Sequence, residues 1–107
     1  MSILSTNHVQ KNSRVAISHG SDPYKTTVQA LNHVRDEIHI NPGDRIVIKP
    51  NIVRPVSPEK GITTDALVVE AIIEYLKDRG VDDVVVAEGG NPGTDKAFKK
   101  LGFKKLA

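Results

Sequence analysis

Two short, mainly apolar runs, Arg45-Ile46-Val47-Ile48-Lys49 and Val84-Val85-Val86-Ala87, stand on either side of a longer amphipathic stretch. No other feature constrains the fold of this chain so strongly. Runs that are apolar at successive positions suit a sheet covered on both faces. Between them Val68, Val69, Ile72, Ile73 and Leu76 recur at helical spacing. Strand, helix and strand in that order predict parallel pairing through a right-handed crossover.

The alternation continues to both sides. Arg14-Val15-Ala16-Ile17-Ser18-His19 is short, β-branched and stopped by Gly20, which reads as an earlier strand. Asp22 suits a helix N-cap and Pro23 the first helical position, where a missing N–H costs nothing. Val28, Leu31, Val34 and Ile38 then form an apolar stripe, and Asn41-Pro42-Gly43-Asp44 makes a turn. After Ala87 comes Glu88, then the glycine-rich turn Gly89-Gly90-Asn91-Pro92-Gly93. Thr94 caps a third predicted helix bearing Ala97, Phe98 and Leu101 and ending at Gly102. The predicted order is β-α-β-α-β-α: a three-layer α/β/α fold with a small, mainly parallel sheet over residues 14–107. Residues 1–13 read as a flexible tail. Three strands make a small sheet. The expectation is that further strands lie beyond Ala107 in a longer parent, or that an exposed sheet edge pairs with a second copy.

Composition narrows the function classes. The chain has no cysteine, which excludes disulfides, thiolate zinc and an iron–sulfur cluster on this chain. Its net charge of +2 is too small to suggest a nucleic-acid partner. With no tryptophan it offers little surface for stacking bases. There is no apolar run near the length of a membrane span. The polar start MSILSTNHVQKNS lacks the apolar core of a secretory leader, so a cytoplasmic location is the expectation.

In an open parallel sheet, ligands bind beyond the carboxyl ends of the strands. Three segments should converge there: His19-Gly20-Ser21-Asp22, Lys49-Pro50-Asn51 and Glu88-Gly89-Gly90-Asn91. The helix starts face the same side, and their unpaired N–H groups favour an anion. Lys49 adds a positive charge. The expected ligand is a small anionic metabolite, such as a phosphate, a carboxylate or a nucleotide. Residues 50–64 hold three prolines and Gly61 and form a loop longer than most connections in such folds.

Each candidate also has a plain structural role. Lys49 can be a solvated strand end. Asn51 can be a turn-former bonding local backbone. Thr63 or Thr64 can cap the second helix, with Asp65 at the positive end of its dipole. Glu88 is the candidate base or metal ligand, or it bonds the N–H groups of the next loop. Gly89, Gly90 and Gly93 fit no Walker pattern and match a dinucleotide fingerprint poorly. His19 sits at the right end of its predicted strand, where an imidazole can serve a site. His8 lies in the tail, and the spacing of His33 and His39 does not favour a shared metal. Lys96, Lys99, Lys100, Lys104 and Lys105 read as a solvated face.

The stretches IVIKPNIVRP and TTDALVVEAIIEYLKDRGVDDVVVAEGGNPGTDKAF resemble the family called domain of unknown function 362. The resemblance rests on Lys49-Pro50-Asn51 after an aliphatic strand, Thr63-Thr64-Asp65 at a helix start, and Glu88-Gly89-Gly90 after a valine-rich strand. It runs from about Val15 to Phe103. It implies no general reaction. Many members carry ferredoxin-like cysteine modules, which this sequence lacks, so the resemblance does not extend to electron transfer. The family domain is normally longer, and the chain resembles its N-terminal portion. Two readings stand open. One is a ligand-binding α/β domain, alone or as part of an enzyme, with Lys49 holding the anion, Asn51 and Thr64 orienting it and Glu88 as base or metal ligand. The other is a non-catalytic oligomerisation or interaction module.

Overall fold

The computed structural model describes residues 12–52 and 58–87. Helix α1 spans Pro23–His33, strand β1 Arg45–Ile48, helix α2 Ala66–Asp78 and strand β2 Asp83–Val86. Short 3-10 turns lie at Arg35–Glu37 and Pro58–Lys60.

Helix α1 starts where the sequence signals it. The Asp22 carboxylate accepts from the Lys25 N–H at 3.1 Å, and Pro23 opens the helix. The helix ends at His33 because the chain leaves the helical path at Val34, with φ −114° and ψ 17°. Ile38, expected on the helix stripe, therefore lies beyond it in extended backbone.

Helix α2 is closed at both ends. Asp65 is its N-cap, accepting from the Leu67 N–H at 2.9 Å. At the other end the Gly80 N–H donates to the Lys77 carbonyl at 2.9 Å and the Val81 N–H to the Leu76 carbonyl at 3.0 Å. That paired pattern is a Schellman cap, and it needs Gly80 at φ +85°. Val81, fully buried, is the apolar anchor just past it.

Strands β1 and β2 pair in parallel, with Arg45 opposite Asp83, Ile46 opposite Val84, Val47 opposite Val85 and Ile48 opposite Val86. Side chains alternate between the two faces. Ile48, Val84 and Val86 pack against the core formed by Ile52, Val69 and Ile73, two of which are α2 residues. The opposite face carries Arg45, Val47, Asp83 and Val85, with Val47 60% exposed. An Arg45–Asp83 ion pair at 2.8 Å ties the two strand starts together. Helix α1 packs on α2.

The described residues thus form an α/β unit with a parallel pair, and the expected architecture needs two corrections, both in the sheet. Arg14–His19 is not a strand: residues 12–20 carry no regular secondary structure. Arg14 donates to Glu37 Oε1 and to the His33 carbonyl, each at 2.9 Å, and the Ser18 hydroxyl donates to the Thr26 carbonyl at 2.6 Å. These bonds hold the segment along α1 instead of in the sheet, and leave Val15 and Ile17 exposed. The sheet has two strands among the described residues, not three. No third layer covers the Val47–Val85 face among them. The third predicted helix, residues 94–102, lies outside the described residues, as do residues 1–11 of the expected tail.

Candidate functional site

The carboxyl edge of the parallel pair is built from the last ladder bond, donated by the Ala87 N–H to the Ile48 carbonyl at 2.9 Å. Lys49 leaves β1 immediately after that bond and is exposed. Pro50 follows and is buried; it bars Lys49 from helical backbone and helps end the strand.

The next residues form a neck. Ile52 bridges Thr63 in antiparallel fashion. The Asn51 N–H donates to Thr64 Oγ1 at 3.0 Å, and the Thr64 N–H returns a bond to the Asn51 carbonyl at 2.8 Å. Asn51 Nδ2 donates to the Ile62 carbonyl at 3.0 Å. Ile52 is driven into the core, only 1% exposed, which fixes where the neck sits. The loop that begins at the Lys-Pro-Asn edge is thereby returned to the start of α2.

This geometry reassigns several expected roles. Thr63 is buried at 7% exposure and belongs to the bridge. Thr64 receives Asn51 and does not cap the helix; Asp65 does. Asn51 bonds backbone, but across the loop and not within one turn. The neck brings Asn51, Thr63, Thr64 and Asp65 together beside Lys49. His19 is exposed and makes no hydrogen bond or ion pair among the described residues. Glu88, Gly89 and Gly90 lie outside the described residues.

The electrostatics of the helix starts also differ from expectation. Both α1 and α2 carry their own carboxylate at the N-cap, Asp22 and Asp65. Those carboxylates already complement the helix dipoles, so an anion gains little by approaching either start. Positive charge at this edge comes from Lys49.

Three cavities bordered by described residues lie elsewhere, and none is lined by Lys49, Asn51 or Thr64. The most chemically varied, about 310 Å³, is a cleft between α1 and α2. There loss of water raises the pKa of the Tyr24 phenol above its ordinary 10.0, helped by a hydrogen bond with Glu74 and by the negative charges of Glu74, Glu70 and Asp78. Sequence reading missed this cleft. Its signal was present in the helical spacing of Glu70, Glu74 and Asp78, but the partner helix could not be read from that spacing. Among the described residues no group of three or more His, Asp or Glu side chains could hold a metal, and no helix is long and apolar enough to cross a membrane.

No curated protein and no solved structure matches the chain. The model of one protein family, described as Domain of unknown function (DUF362), matches residues 46–107. The match starts at Ile46, inside β1, and takes in the Lys-Pro-Asn edge, the neck, α2 and β2. It covers more than half of the sequence, and the chain therefore belongs to the DUF362 family.

Proposed function

We propose that the carboxyl edge of the β1–β2 pair binds a small anionic ligand, with Lys49 as the attracting charge. The observation that carries this reading is the closure of the ladder at Ala87 and Ile48 beside the Asn51–Thr64 neck. A lysine at such an edge stands on rigid backbone, where α/β sheets take their ligands. The carboxylate caps narrow the contact set, since the ligand is held by Lys49 and the neck and not by the helix starts. Asn51 and Thr64 shape the edge through the neck, and Glu88, next along the chain from Ala87, is the candidate base or metal ligand if the domain is catalytic. Cytoplasmic location remains part of the proposal.

Titrating the chain with inorganic phosphate and following amide NMR shifts tests the reading. Saturable shifts at residues 48–51 are expected, and Lys49→Ala should abolish them with an unchanged melting temperature. No saturable shift in the native chain, or equal loss of binding and thermal stability in the variant, would overturn it.

A second reading has its own support. The sheet face bearing Val47 and Val85, and the segment bearing Val15 and Ile17, are apolar and exposed among the described residues. Such surfaces suit self-association or a partner. In the three-layer form of the fold, a helix over residues 94–102 would cover the sheet face instead. Light scattering distinguishes these: a mass that grows with concentration favours association, and a monomer at all concentrations favours a covered face.

A further inference from the structure

The cleft between α1 and α2 is lined by charges of both signs and by apolar side chains. Glu74, Asp78, Arg35 and Arg79 border it together with Val28 of α1 and Ala71 of α2. Two of the four charges are already used. Glu74 takes the Tyr24 phenol, and Arg79 donates to Tyr75 Oη at 2.6 Å and to the Ile38 carbonyl at 3.0 Å. The Arg79 guanidinium also lies 5.3 Å from the centre of the Tyr75 ring. Asp78 and Arg35 make no ion pair with each other or with any other described residue, although they border the same cavity. The volume of about 310 Å³ has room for about ten water-sized groups.

We propose that this cleft binds a small zwitterion, its ammonium group on Asp78 and Glu74 and its carboxylate on Arg35, with an aliphatic stem along Val28 and Ala71. Four observations favour a zwitterion over a simple ion. The lining charges balance, two of each sign, so neither a lone cation nor a lone anion meets a net attraction. The two uncommitted charges are opposite in sign and do not pair with each other. The apolar side chains of Val28 and Ala71 border the same cleft. The carboxylates of Glu70, Glu74 and Asp78 all act on Tyr24, which marks its surroundings in the cleft as negative. This site is independent of the Lys49 edge, and either proposal can fail alone.

The test uses the full chain and 6-aminohexanoate as probe, with hexylamine and hexanoate as single-charge controls, followed by amide NMR. Saturable shifts at residues 28–35 and 71–79 are expected, with the zwitterion binding at least several-fold more tightly than either control. Arg35→Ala and Asp78→Ala each remove one exposed charge and should each weaken binding about three- to fivefold, the scale of one exposed ion pair. Absence of saturable shifts, equal binding of the single-charge controls, or unchanged affinity in both variants would overturn the proposal.

Discussion

At the scale of single residues, burial and hydrogen bonding separate positions that look alike in the sequence. Ile52 lies in a proline-rich loop, yet it is as buried as Val69 in the first turn of α2. Ile52→Ala should therefore cost about 2–5 kcal/mol, as for core truncations generally. Asp65→Ala, which removes only a cap, should cost about 1 kcal/mol. Urea unfolding of the two variants checks both the values and their order. Tyr24 supplies a pH signature. Its phenol holds its proton more tightly in the folded chain than in the unfolded one. Its contribution to stability is complete below pH 10 and is lost as pH rises from there through the raised folded value. Tyr24→Phe should flatten the stability curve above pH 10 and leave its slope near neutrality unchanged.

At the scale of elements, what could be read in advance followed from local chemistry. The strand–helix–strand order of residues 45–87, the Asp22-Pro23 start of α1 and the glycine at the end of α2 each rest on neighbours in the chain, and each is present. The failures have tertiary causes. Arg14–His19 has the composition of a strand, but Arg14 and Ser18 are bonded to α1. In Thr63-Thr64-Asp65 all three side chains can cap a helix. The choice among them depends on Asn51, far back along the loop, which takes Thr64 out of the competition. The same distance hid the neck, the part of the candidate site that joins Lys49 to α2. Gly80 permits an element-level check. A side chain there would be forced into left-handed backbone, with its Cβ touching the Pro42 ring at 3.4 Å. Gly80→Ala should destabilise the chain by about 1–2 kcal/mol in thermal or urea melts.

At the scale of the whole molecule, the described parts divide into a side held by packing and a side that is bare. The inner face of the sheet meets α2, and α2 meets α1. The outer face offers Val47 and Val85 between an arginine and an aspartate. The carboxyl edge and the interhelical cleft are separate places, one built on backbone ends and one on side chains of two helices. Membership in DUF362 attaches to the first, since the family match opens in β1 and omits α1, which forms one wall of the cleft.

The neck has a further consequence, for the order in which the chain folds. The first cross-strand contact, Arg45 to Asp83, joins residues 38 apart, and closing so long a loop is entropically slow. The bonds between Asn51 and Thr64 span only 13 residues, and α2 follows them directly. Once they form, the distance left to search shrinks to the short stretches on either side. Pairing of the strands then becomes a late step that inherits its alignment from contacts already made.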